Sequence, residues 1–183
     1  MKGQEQIMNS PITENELQRA ISRYFAEYTD EQRIELVADF VSAQPALAYS
    51  LDFPEEENFD DAVRTGVCNF AAIIHLLFKD RLDMPEVSDD DITSAYKKFE
   101  GMLRYINGDA ETEEEVEVEN LYPEPVLLRH FRNFIIEHYE YLSKVQHYDI
   151  FLALGAVVDV YAQAKKRYNE AGGGRLASRQ YIK

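Results

Sequence analysis

Residues 60–81 hold one glycine, no proline and an apolar side chain at nearly every position that a helix would turn inward. Val63, Val67, Phe70, Ile74, Leu77 and Phe78 share one side at three- and four-residue spacing, and Gly66, Ile73 and Leu76 carry the cover further round the cylinder. A helix that is apolar most of the way round needs neighbours on several sides. The segment therefore predicts a central helix, and the fold must be built around it.

The rest of the chain supplies helical neighbours. Thr13-Glu14-Asn15-Glu16 and Thr29-Asp30-Glu31-Gln32 are capping boxes, each followed by apolar residues at helical spacing. The first predicts a helix that buries Leu17, Ala20, Ile21, Tyr24, Phe25 and Tyr28. The second predicts a core stripe of Ile34, Val37, Ala38 and Val41 that ends near Ala43, because Pro45 cannot continue it. Pro45 itself suits the first position of a short helix to Leu51. Ser88 and Asp91 open a further helix that runs through Ala95 and Phe99 to Asn107-Gly108. Beyond Pro123 and Pro125, Leu127, Phe131, Ile135, His138 and Leu142 predict the sixth helix. Residues His147 to Asn169 predict the seventh, which Gly172-Gly173-Gly174 stops. Gly66 and Gly155 are expected to let neighbours approach the two longest helices closely.

The fold class these segments define is all-α: a single-domain irregular bundle of six or seven helices, with pairs one and two, four and five, and six and seven as candidate hairpins. Eight glycines and six prolines in 183 residues leave little turn chemistry for a β sandwich or barrel. Residues 1–12 read as a flexible N-terminus, 13–171 as the bundle with a mobile acidic loop at 108–121, and 172–183 as a flexible, glycine-rich, basic tail. The polar start offers no secretion signal, and the apolar runs Val67 to Phe78 and Ile150 to Ala164 fall short of the roughly twenty residues of a membrane span. A lone cysteine, Cys68, forms no internal disulfide. A cytoplasmic location with no membrane partner is the expectation.

Charge is uneven. Of the net −15, residues 51–120 carry −14. The runs are Glu55-Glu56-Glu57 with Asp60-Asp61, Asp89-Asp90-Asp91, and Asp109 to Glu119, where Glu113, Glu114, Glu115 and Glu117 lie. Such a field repels nucleic-acid phosphate, so direct DNA or RNA binding is not expected. A basic protein partner fits it better.

Tests for chemistry leave partial sets. Di-iron bundles need a glutamate three residues before an inward histidine. Here Ala72, Leu127, Ile135 and Lys144 stand before His75, His130, His138 and His147. Glu137 and Glu140 form half of the carboxylate set that a magnesium-dependent helical hydrolase requires, but Ala156 stands where the second half needs an acid three residues before Asp159. Cys68 and His75 share a polar stripe on the central helix, yet seven residues separate them by roughly 10 Å along the axis, too far for a nucleophile and its base. No catalytic residue, metal ligand or cofactor is assigned.

Three readings follow. The leading one is a non-enzymatic acidic interaction protein, in the manner of an inhibitor, immunity protein or adaptor. It would bind a basic partner through Glu55, Glu56, Glu57, Glu113, Glu114, Glu115 and Glu117, and through the tyrosines Tyr139, Tyr141 and Tyr148 at the corner of the last two helices. The second is a helical small-ligand or regulatory bundle with a pocket at Cys68, His75 and Asp159. The third is the magnesium-dependent hydrolase. Self-association stays open beside them.

Overall fold

The computed structural model describes residues 10–53, 59–79, 86–104 and 124–170. They form seven α-helices and, among the described residues, no strand. α1 (Glu14–Ser22) runs into a π-helical turn (Arg23–Glu27), followed by α2 (Asp30–Ala43), α3 (Pro45–Tyr49), α4 (Asp61–Lys79), α5 (Asp89–Arg104), α6 (Pro125–His138) and α7 (Lys144–Glu170).

Local chemistry sets the helix starts. Thr13 Oγ1 accepts the Glu16 amide at 3.3 Å while the Glu16 carboxylate accepts the Thr13 amide at 2.8 Å, and Thr29 and Gln32 repeat the exchange at 3.3 and 2.9 Å. Ser88 and Asp91 do the same for α5. A further box opens α7 one turn before the expected His147. Ser143 Oγ accepts the Gln146 amide at 3.2 Å, and Gln146 Oε1 accepts the Ser143 amide at 3.1 Å.

α7 packs against α4, α5 and α6, and α4 also receives α1 and α2. The helices that carry the two long apolar runs, Val67 to Phe78 and Ile150 to Ala164, thus hold the centre. Among the expected hairpins, α6 and α7 pair directly, whereas α1 and α2 both turn to α4, and α5 turns to α7. A Cβ at Gly155 would overlap the Phe99 ring of α5, and one at Gly66 would overlap the Tyr139 hydroxyl, so both glycines admit a neighbour that alanine would exclude. α4 has a mean hydropathy of 1.3, and among the described residues it is the helix long and apolar enough to cross a membrane, which exceeds the shorter run expected. With 56% of its apolar stretch buried inside the bundle, it is a core helix.

Four expectations need correction. On α2 the buried residue is Phe40, 1% exposed, while Ile34 is 69% and Val41 46% exposed. The apolar arc of α2 is wider than its contact with α4, and Phe40 at its inner edge takes the core. Phe25 is exposed because the wider π winding, closed by the Tyr28 amide on the Arg23 carbonyl at 3.0 Å, turns Tyr24 inward and Phe25 out. His138 is exposed at the end of α6, where its Nδ1–H donates to the Phe134 carbonyl at 3.1 Å. The fold also begins before residue 13. Ile12 is buried, its amide donates to Glu124 Oε2, and the Ser10 carbonyl accepts Lys165 Nζ at 2.7 Å.

Candidate functional site

Glu55, Glu56, Glu57, Glu113, Glu114, Glu115 and Glu117 lie outside the described residues. The remaining candidates fall in four separate places rather than around one pocket.

His75 sits in the interface of α4 with α7. Its Nδ1 is 2.6 Å from the Tyr161 hydroxyl, and its Nε2 stands 3.5 Å from Asp39 Oδ2 without hydrogen-bond geometry. A carboxylate accepts only, so Asp39 favours the ring proton on Nε2, and the Tyr161 hydroxyl then donates to Nδ1. Asp39 in turn pairs with Lys79 at the surface, and the ammonium bonded to it holds its carboxyl below the usual range. Burial pushes the His75 imidazole below its ordinary value, against the opposing pull of Asp39, and raises the Tyr161 hydroxyl far above its own. The chain Tyr161–His75–Asp39–Lys79 is therefore a neutral buried pair tied to a surface ion pair. The rings of Phe40, 5.7 Å away, and Phe78, stacked on Tyr161, close it on the apolar side.

Asp159 is buried on α7 and pairs with Lys98 of α5, with Gln163 Nε2 at 3.4 Å from its other oxygen. Cys68 is half-buried, and burial raises its thiol above the ordinary value, the reverse of what a nucleophile needs. Its neighbour Asn69 accepts the Tyr24 hydroxyl at 2.7 Å and ties α4 to the π turn.

The tyrosine corner clamps the start of α4. Tyr139 is buried against Gly66, its carbonyl accepts His147 Nε2–H at 2.6 Å, and its ring meets Phe134 edge-on at 5.6 Å. Tyr141 donates its hydroxyl to Asp60 Oδ2 at 3.0 Å, while Asp60 Oδ1 caps the Val63 amide at 2.8 Å. Tyr148 packs half-buried against the core. Of the three, Tyr141 alone presents an exposed ring.

Two features escape the sequence patterns. On α2, Ile34, Ala38 and Val41 form an exposed apolar stripe beside Glu31 and Glu35. At the edge of the bundle, a cavity of about 290 Å³ that opens to solvent is lined by Ser50, Asp52, Phe53, Tyr96, Asp149 and Leu152. Residues from the end of α3, from α5 and from α7 meet there only after folding. Among the described residues, no three histidine, cysteine or acidic side chains converge to hold a metal ion. Compared with known proteins, the chain matches no family model, no curated protein and no solved structure.

Proposed function

We propose that the protein is an acidic, non-enzymatic interaction protein whose α2 outer face receives an amphipathic helical segment of a basic partner. The carrying observation is the exposed stripe of Ile34, Ala38 and Val41 on a helix that has already satisfied its own core through Phe40. Residues at this spacing lie on one face, the pattern read by helices that dock side by side. Glu31 and Glu35 stand beside the stripe, and the whole chain carries −15, so lysine or arginine flanks on the partner complement both. A second copy of this chain brings the same acidic rim and the same charge, which favours a basic partner over self-association. Covering a fully exposed isoleucine or valine contributes about 1.5–3 kcal/mol, and Ile34 and Val41, 69% and 46% exposed, offer a corresponding fraction each, so the stripe supplies affinity while the charge supplies encounter rate.

The test uses the full chain and a helix-forming peptide with leucines at helical spacing and lysines on its flanks, beside a counterpart with glutamate flanks. The lysine peptide should bind, with an on-rate that falls as salt rises, and the glutamate peptide should not. Ile34→Asp together with Val41→Asp adds negative charge, so a purely electrostatic attraction would strengthen. The proposed docking instead predicts a loss of about tenfold or more in affinity. Binding that survives these changes would overturn the reading.

A further inference from the structure

The polar groups lining the cavity between α3, α5 and α7 can be accounted for one by one. The Tyr96 hydroxyl donates to the Ser50 carbonyl at 3.1 Å, and Ser50 Oγ donates to the Leu47 carbonyl at 2.7 Å. Asp52 lies 3.5 Å from Arg64 Nη1, and the same Arg64 group donates to the Phe53 carbonyl. Asp149 is different. It is half-buried on α7, and among the described residues no hydrogen bond or ion pair reaches it. Its neighbours one turn on, Leu152 and Ala153, are apolar, and among the described residues no cationic side chain lines the cavity. A carboxylate drawn partly out of water without a protein partner is less favourable than one in bulk solvent, and a cation beside it would relieve that cost.

We propose that this cavity binds a primary alkylammonium group, with Asp149 as its counter-ion. An ammonium has three N–H donors and no acceptor, and the lining offers the Asp149 carboxylate and a lone pair of the Ser50 hydroxyl, with the exposed Asp52 carboxylate, which also faces Arg64, at the rim. The rings of Phe53 and Tyr96 give the alkyl stem apolar and π surface, the lining that suits an organic cation. A volume of about 290 Å³ is at the small end for a ligand site and suits a chain of a few carbons. The other classes of occupant fit less well. Calcium wants six or more oxygens packed closely around it, whereas aromatic and aliphatic side chains form much of this wall. An anion meets two carboxylates, and a neutral apolar molecule leaves Asp149 unpaired.

The same chemistry has two sources: a free aliphatic amine, or the lysine side chain of a protein. The second rests on the reading of a basic partner given above, and the first does not. Both present a charged head on a flexible stem.

The experiment titrates the full chain with n-butylammonium at constant ionic strength, with n-butanol as the uncharged match, and follows backbone amide signals by NMR. The expected result is saturable shifts at Asp149, Leu152 and Tyr96 for the ammonium alone. Asp149→Asn should weaken the affinity by about tenfold or more, as expected for loss of a charge-assisted hydrogen bond. Ala153→Leu, which fills the cavity without touching its charge, should weaken it as well. Equal shifts from n-butanol, shifts spread over the acidic surface, or no response to either substitution would overturn the site. A lysine residue blocked at both ends, and its side-chain-acetylated form, distinguish the sources. Binding of blocked lysine at least as tight as n-butylammonium, lost on acetylation, assigns the site to a partner's lysine. Exclusion of blocked lysine assigns it to a free amine. Failure of n-butylammonium to bind while the lysine-flanked peptide still docks on α2 would sink the cavity site and leave the proposed function standing.

Discussion

The Tyr161 hydroxyl and His75 Nδ1 meet at 2.6 Å across the interface of the two central helices, α4 and α7, with the imidazole 2% exposed. The pair supplies a polar contact in the apolar centre, and its weak point is the other ring nitrogen, which has no hydrogen-bond partner among the described residues. The folded protein resists protonating this ring, because burial lowers its pKa from the ordinary 6.5. The unfolded chain takes the proton first as pH falls. Stability from this group is therefore complete above about pH 6.5 and is lost as pH drops below it toward the folded-state pKa. Thermal melts should show Tm declining across this window, and the part due to this group should vanish in His75→Leu. A decline of equal size in that variant would place the acid sensitivity elsewhere.

Tyr161→Phe removes the donor and leaves Nδ1 without its partner, at a cost of about 1–3 kcal/mol. Adding His75→Leu removes the orphan as well, so the double variant should lose less than the sum of the two single changes. A double-mutant cycle by urea unfolding measures that difference. Strict additivity would mean that the 2.6 Å contact contributes nothing to stability.

A second buried set fastens the segment that leads into α1. Glu124 accepts the Ile12 amide with one oxygen and lies 2.8 Å from Lys165 Nζ with the other. Both side chains are nearly inaccessible, at 1% and 8% exposure. Glu124→Gln strands the ammonium in the interior and should cost about 3–5 kcal/mol, whereas Glu124→Gln with Lys165→Met should recover much of the loss. Deleting residues 1–12 should lower Tm too, because Ile12 leaves the core and the Glu124 carboxylate loses a donor. An unchanged melt after that deletion would show that the anchor contributes nothing.

Much of this architecture is legible in the residues, and the gaps have physical causes. Helix starts are local: Thr13, Thr29 and Ser88 each announce a helix through groups three residues apart, and the structure obeys them. Burial is not local. Ile34 and Phe40 are both apolar and both lie on the arc of α2, and only the placement of α4 decides that Phe40 goes in. Gly66 and Gly155 mark close approaches, but nothing in sequence says that Tyr139 and Phe99 are the visitors. Cys68, His75 and Asp159 share polar character in apolar surroundings, and the folded chain sends His75 to Tyr161, Asp159 to Lys98, and Cys68 to a half-buried position away from both. Asp149 is less conspicuous, an ordinary acid near a helix start. Its isolation appears only when α3 and α5 arrive with Ser50 and Tyr96.

The contact at Gly155 gives a stringent packing test. An added methyl would overlap the face of α5 at Phe99, whose ring also meets Phe151 at 5.4 Å. Gly155→Ala should destabilise by about 1–3 kcal/mol despite the better helix propensity of alanine. Adding Phe99→Leu should restore part of the loss by vacating the space. Stabilisation by Gly155→Ala alone would show that α5 and α7 separate more readily than this packing implies.

Asp149 should behave unlike the buried acids that hold the fold together. Burial raises its pKa above the ordinary carboxylate value of 3.8, and no compensating partner is among the causes. Between the unfolded and the raised folded value, the native state binds more protons than the unfolded chain, so stability falls as pH rises through that window. At neutral pH the ionised carboxylate is a burden on folding. Asp149→Asn should therefore leave Tm unchanged or raised at pH 7, with any gain shrinking as pH falls below the ordinary value and both carboxyl forms become neutral. Adding n-butylammonium should raise the Tm of the unaltered protein at pH 7 and leave that of the asparagine variant nearly still, because only the carboxylate gains from the cation. A loss of stability in Asp149→Asn at pH 7 would show instead that the carboxylate has a structural role in the fold, and that its isolation among α3, α5 and α7 is not the vacancy of a binding group.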